Sequence, residues 1–284
     1  MTDTPTAYSV ETLTDAYRVL AEHGRGVRVI AGGTDLMVLM NAHQLDAARF
    51  LDIRRVGELR GITDEGEHLR VGALVTYTEL IRSPLTQQHA PALVAASRTI
   101  GAIQIQNRGT LGGNIVNASP AGDSLPVLAV YDAELELGSQ RGPRRVAFSE
   151  FYTGYRQTVL ADDELLAAVR LPKLQTNERD FFYKVGTRRA QAISKVVIAT
   201  RAAASAGVIH SIRVSIGSVA PTVIRAPRTE ALLAGQTLSP SLIKRAQEAV
   251  MQEVSPITDL RSTEHYRRTV TGNMLAKCLR QLGD

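Results

Sequence analysis

Apolar positions recur at helical spacing near the start of the chain. Val10, Leu13, Ala16, Tyr17 and Leu20 lie on one face, and Gly24 follows His23 as a natural stop, so an amphipathic helix is predicted over residues 10–23. The next run, VRVIAGG, is short and β-branched and breaks into a Gly-Gly pair, which predicts a strand ending in a sharp turn. Thr34 and Asp35 then stand where they could cap a short helix in LMVLMN. FLDI at 50–53 and LRVGAL at 69–74 read as further strands, and YTELIR and APALVAASRTI as helices.

SLPVLAVYDAELEL predicts a helix and then a strand, the charged turn GSQRGPRR a hairpin, and DELLAAVRLP a strand ended by Pro172. The polar stretch KLQTNERD is the best domain boundary. Beyond it, FFYKVGTR, KVVIATRAAA and VIHSIRVSIGSV predict successive strands of an antiparallel sheet, and two or three helices fill residues 228–282. There is no internal repeat and no low-complexity tract.

A chain of 284 residues, 44% of them hydrophobic, can bury a substantial core and suggests two domains or one domain with lobes. The formal charge of +5 arises from 33 basic and 28 acidic side chains spread along the chain. That excess suits a diphosphate or an acidic partner. It is too dispersed for nucleic acid, and a 5% aromatic content offers few platforms for bases.

Cys278 is the only cysteine, so no intrachain disulfide, Cys-rich zinc site or four-Cys iron–sulfur cluster can form. It is expected to pack along a C-terminal helix. MTDTPTAYSVETL lacks the basic and then apolar profile of a signal peptide, and no segment approaches about 18 uninterrupted apolar residues. A cytoplasmic protein without a membrane span is expected. The six histidines show no metal-ligand spacing and the serines no GxSxG elbow, so neither a metal centre nor a catalytic side chain is expected. The candidate site residues are therefore cofactor contacts.

The most unusual stretch is 99–124, TIGAIQIQNRGTLGGNIVNASPAGDS, with five glycines and the amides Gln104, Gln106, Asn107, Asn114 and Asn117. It matches neither an ordinary amphipathic helix nor a flexible linker. A pyrophosphate can be held by successive backbone N–H groups in a tight glycine turn, where side chains would block close approach. Ala31-Gly32-Gly33-Thr34-Asp35 and Gly109-Thr110-Leu111-Gly112-Gly113-Asn114 each meet that requirement, and two such loops could grip one diphosphate. A single Gly-Gly pair after a strand is ordinarily only a turn; the second segment is what tips the reading. The GxGxxG fingerprint of a Rossmann nicotinamide domain is missing, which implies another nucleotide fold.

VIAGGTDLMVLM together with TIGAIQIQNRGTLGGNIVNASPAGDSLPVLAVYDAELEL resembles the FAD-binding subunits of the xanthine dehydrogenase and carbon monoxide dehydrogenase (molybdenum hydroxylase) family, and the similarity extends through FFYKVGTRRAQAISKVVIA. The resemblance implies an α+β fold: a two-lobed, vanillyl-alcohol-oxidase-like FAD domain over residues 1–174, with lobes about 1–55 and 56–174, and a smaller α+β domain over 175–284. It matches Arg28, Val29, Ile30, Ala31, Gly32, Gly33, Thr34, Asp35 and Leu36 to the first pyrophosphate loop. Gly109, Thr110, Gly112, Gly113 and Asn114 match the second. Ile100, Val116 and Asn117 fall where the family lines the cofactor, Asp123 where it holds ribose hydroxyls, and Leu166 and Lys184 where it packs and hydrogen-bonds the isoalloxazine. From the residues alone, Asp123 could instead cap a helix starting near Ser124, and Lys184 could belong to a solvated strand face.

One departure is visible. The family commonly reads Gln-Ile-Arg-Asn where this chain has Gln104-Ile105-Gln106-Asn107, a lost positive charge for which Arg108 could partly compensate. The resemblance further implies non-covalent FAD, a small partner with [2Fe-2S] clusters, a large molybdopterin subunit, a dimer of heterotrimers, and NAD+, quinone or another acceptor. A self-sufficient flavin oxidoreductase of the same superfold and a flavin-binding assembly module without redox activity remain the alternatives; no His or Cys tether occurs in either loop.

Overall fold

The computed structural model describes residues 6–45 and 49–283. Residues 1–5, part of the stretch read against a signal peptide, lie outside the described residues. The first lobe runs β1 (Thr6–Ser9), α1 (Leu13–His23), β2 (Val27–Ile30), α2 (Leu36–Asn41) and β3 (Arg49–Asp52), with the strands parallel in the order β1-β3-β2. Helix α1 begins later than the apolar spacing predicts, because the Thr12 side chain accepts the Asp15 N–H and fixes the first turn. Val10 instead donates its N–H to the Asp52 carbonyl and joins the lobe core. Gly24, at φ 50°, ends the helix as expected. Asp35 takes the N-cap position of α2 without a side-chain capping bond, and no residue of that apolar helix is buried.

The second lobe contains β4 (Ile62–Glu65), β5 (His68–Gly72), α3 (Tyr77–Arg82), α4 (Pro84–His89), α5 (Pro91–Ser97), α6 (Ile103–Gln106), α7 (Leu111–Asn117) and α8 (Leu125–Val130). It continues with β6 (Glu134–Ser139), β7 (Gly142–Ala147), α9 (Phe148–Phe151), β8 (Tyr152–Gly154), β9 (Gln157–Thr158) and β10 (Leu165–Pro172). Its main sheet is antiparallel in the order β4-β5-β10-β6-β7. Strand β10 forms the seam between lobes. Leu165 and Ala167 pack into the first-lobe core, whereas Leu166, Val169 and Leu171 pack into the second.

The chain then forms β11 (Glu178–Val185), β12 (Val196–Ser205), β13 (Val208–Gly217), β14 (Ile224–Arg225), α10 (Pro227–Leu233), α11 (Pro240–Glu253) and α12 (Glu264–Gly283). These strands make the expected antiparallel sheet in sequential order. β12 is buried on both faces: Val197 and Ala199 join the second-lobe core, while Val196 and Ile198 pack with α12. That double burial explains its continuous apolar run. Cys278 lies in α12 against this core, and burial pushes its thiol up to about 12.

Strand β11 starts inside the polar boundary stretch because its polar residues have partners. Glu178 pairs with the buried Arg201, and the Asp180 carboxylate accepts the Tyr131 hydroxyl (2.6 Å) and the Ala92 N–H (2.7 Å).

Candidate cofactor site

Strands β2 and β3 are parallel neighbours, so their C-terminal ends open on one crevice. The chain leaves β2 through Ala31-Gly32-Gly33. Gly33 sits at φ 76°, where other residues are strained. At Gly32 a Cβ would lie 2.0 Å from the Arg108 carbonyl oxygen and 3.0 Å from Gly109 Cα, so the two glycine segments meet backbone to backbone. Thr34 also faces Gly109. Among the described residues, the amides of Gly33, Thr34 and Asp35 meet no acceptor. A turn of unpaired, unshielded N–H groups fits a diphosphate.

The second glycine segment takes a different form from the expected nest. It is the first turn of α7, where the Gly113 N–H donates to Thr110 Oγ1 (3.0 Å), the Leu111 N–H to Val75 O (2.9 Å) and the Gly112 N–H to Ala73 O (3.0 Å). A Cβ on Gly112 would lie 2.6 Å from Ala73 Cβ. Packing on the end of the second-lobe sheet therefore accounts for that glycine. Leu111, Gly112 and Ile115 are buried on one face; the N-cap Thr110, also buried, shares the other face with the more exposed Gly113, Asn114 and Asn117 at i, i+3, i+4 and i+7. Asn114 Oδ1 accepts the Ser124 hydroxyl (2.6 Å), and Val116 is exposed.

Asp123 and Lys184 are brought together. Lys184 Nζ donates to Asp123 Oδ2 (2.6 Å) and to the Thr99 carbonyl (2.9 Å), and the Ser194 hydroxyl donates to Asp123 Oδ1. Both side chains are more than nine-tenths buried. Burial raises the Asp123 pKa, and Lys184 and the Ser194 hydrogen bond offset part of that rise. Asp123 is thus no helix cap, and Ser124 has no side-chain capping bond. Lys184 lies on no solvated face.

A cavity of about 410 Å³ opens where the strand ends and the glycine segments converge. Ala31, Gly32, Leu74, Thr76, Asn107 and Thr110 line it, together with Asp52 and the guanidinium side chains of Arg54, Arg55, Arg60 and Arg108. Arg54 is bound to Asp52 through two nitrogens (2.9 and 2.7 Å) and holds that carboxyl below the usual range. Arg54, Arg60, Thr76 and Ser194 were not among the residues read from the sequence.

The remaining expected residues are dispersed. Arg28 is exposed on β2, Val29, Ile30 and Leu36 are half-buried near the first turn, and Ile100 packs partly against the second-lobe core. Leu166 is 2% exposed inside that core and is not among the residues lining the cavity. At the departure from the family pattern, the Gln106 amide donates to the Arg98 and Ile100 carbonyls (3.2 and 3.1 Å), while Asn107 Oδ1 accepts the Thr78 hydroxyl.

Two family models divide nearly the whole chain. The FAD binding domain in molybdopterin dehydrogenase matches residues 3–174, and the CO dehydrogenase flavoprotein C-terminal domain matches 181–282. The chain is 34% identical to a putative xanthine dehydrogenase FAD-binding subunit of Escherichia coli, covering 98% of this chain and 96% of that one. It is 27% identical to the carbon monoxide dehydrogenase medium chain of Hydrogenophaga pseudoflava, over 96% and 94% of the two. A solved structure of carbon monoxide dehydrogenase from the same organism superposes with a TM-score of 0.94 at 27% identity, over 98% of this chain and 96% of that one. By family model, identity and fold together, the chain belongs to the FAD-binding subunits of the molybdenum hydroxylase family, as an oxidoreductase subunit.

Proposed function

We propose that this chain holds FAD non-covalently at the glycine junction and relays electrons from [2Fe-2S] clusters of a small partner subunit to NAD+, quinone or another acceptor. The observation that carries the reading is the backbone contact of Gly32 with Arg108 and Gly109, beside amides of Gly33, Thr34 and Asp35 that meet no acceptor among the described residues. FAD, when bound, exchanges electrons singly or in pairs, which couples one-electron carriers to a two-electron acceptor. The residues of Arg28–Leu36 hold its phosphates, with Thr110, Gly113, Asn114 and Asn117 facing it from α7. Asp123 and Lys184 close the flavin end as a pair, screened from water by their burial. The lone cysteine is buried in α12 and offers no tether.

The reading assigns residues 1–174 to the cofactor domain and 175–284 to the smaller domain, in line with the spans of the two family models. A large molybdopterin subunit and the iron–sulfur subunit complete the assembly, as a dimer of heterotrimers. The name medium chain, carried by the Hydrogenophaga relative, supports partners on either side in size. Among the described residues no helix is long and apolar enough to cross a membrane. Affinity capture of the full chain from its own cells, with mass identification of bound chains, tests the assembly. Two co-purifying subunits, one with iron–sulfur clusters and one with molybdopterin, are expected. A chain that emerges alone and oxidises an organic substrate unaided would contradict it.

A further inference from the structure

We infer that the turn 256–262 of the smaller domain, with Leu260 at its tip and cationic side chains around it, docks into an apolar socket on an acidic face of a partner subunit. This rests on the heteromeric reading above.

No stretch of the chain is a basic block, yet the charge divides unevenly between the domains. Residues 175–284 hold 16 lysines and arginines against eight aspartates and glutamates, whereas residues 1–174 hold 17 against 20. The smaller domain therefore carries the whole positive excess. It also carries the two most exposed large apolar side chains among the described residues: Leu260 is fully exposed and Ile257 is 71% exposed.

The backbone of the turn fixes both. The Asp259 carboxylate accepts the N–H groups of Arg261 (2.9 Å) and Ser262 (3.0 Å), and Asp259 and Ser262 also pair through their main chains. The same carboxylate binds the buried Arg267 (2.8 Å), whose guanidinium donates to the carbonyls of Lys195 and Ser218 (2.8 and 2.9 Å). The turn is thus anchored to α12, to the residue before β12 and to the residue after β13. Lys195 lies over the exposed ring of Tyr266 (5.1 Å), which adds an aromatic and a cation beside the anchor. Asp259 is one carboxylate shared by Arg261 and Arg267, so positive charge remains in excess around the two aliphatic side chains.

An aliphatic knob already held in place loses little conformational freedom on docking and gains by leaving water. The cations around it select carboxylates and disfavour a like-charged surface. A second copy of this chain carries the same net charge of +5 and presents the same cationic face, so the occupant is a different, acidic chain.

The test uses the full chain captured from its own cells with its partner subunits. Carbodiimide couples lysine amines to neighbouring carboxylates. It is expected to link Lys195, and in Arg261→Lys protein position 261 as well, to an aspartate or glutamate of a partner subunit. Leu260→Ser and Arg261→Glu should each retain about tenfold less partner after washing at physiological ionic strength, with melting midpoint and flavin content unchanged. Arg261→Lys should match wild type. So should Arg18→Glu, which changes net charge equally at an exposed site on α1. If Leu260→Ser and Arg261→Glu keep their partners, or the carbodiimide links join only copies of this chain, the turn is not the docking face and the heteromeric reading stands. Loss in Arg18→Glu as large as in Arg261→Glu would assign the effect to net charge and overturn the inference. Binding to phosphatidylserine vesicles that Leu260→Ser abolishes, with partners retained, would make the turn a lipid contact instead. Wild type that captures no partner would sink the inference and the heteromeric reading together.

Discussion

Asp123 and Lys184 show why two residues with plausible solitary roles have to be read as a pair. The first precedes α8 and the second lies on β11, so their 2.6 Å contact ties the cofactor lobe to the smaller sheet. Removing one partner leaves a buried charge without compensation, at a cost of about 3–5 kcal/mol. Asp123→Asn and Lys184→Met are each expected to lose stability on that scale in denaturant melts, and the double variant to recover more than half of the summed loss. Single variants within about 0.5 kcal/mol of wild type would show that the pair contributes nothing. The sign of the pH effect follows from the upward shift. The native state binds the Asp123 proton more readily than the unfolded chain does, so this carboxyl makes the protein less stable as pH rises from 3.8 through its folded pKa. Asp123→Asn should flatten that part of the profile.

At the scale of elements, Gly32 and Gly112 belong to similar-looking motifs and do different work. A Cβ on Gly32 collides with the backbone of the other glycine segment, so Gly32→Ala should force the junction open and cost flavin content more than stability. A Cβ on Gly112 collides with Ala73, so Gly112→Ala should lower the unfolding free energy by about 1–3 kcal/mol through overpacking of α7 on the sheet. Flavin content and denaturation midpoint, measured on both variants, separate the two. A Gly32→Ala protein with full flavin would remove the junction from the cofactor site.

The longer strands were legible, as in β12, whose apolar run is continuous because both faces are buried, whereas the short strands β1, β4, β8, β9 and β14 were not, and the C-terminal helices were legible only as two or three helices over 228–282. Helix α7 was not legible. LGGNIVN has poor intrinsic helix propensity, and the helix is held by bonds from Val75 and Ala73 that only the folded chain brings near. The arginine cavity was hidden for a related reason: Arg54 and Arg60 gain meaning only once β3 pairs parallel with β2. The first glycine turn was legible as a strand, a turn and a short helix, but the capping bond expected after it does not form, and the contact that requires Gly32 comes from the distant Arg108–Gly109 backbone.

At the scale of the whole molecule, the smaller domain is no separate body. Its sheet packs Phe182, Val197 and Ala199 into the second-lobe core and its other face against α10–α12, so the lobe carrying α7 and the strand carrying Lys184 are held in one packing arrangement. That continuity fixes the distance between the phosphate end and the ring end of the proposed site. On the proposed function the chain's contribution is the binding and orientation of FAD, and Cys278, its only cysteine, is locked in a core helix. The central claim is therefore that this chain alone retains FAD without a covalent bond. Purified full-length protein, precipitated with acid and centrifuged, tests it most directly: the account predicts a yellow protein that releases one equivalent of FAD to the supernatant. A protein that is colourless and takes up no FAD, or one whose flavin stays with the pellet, would contradict it.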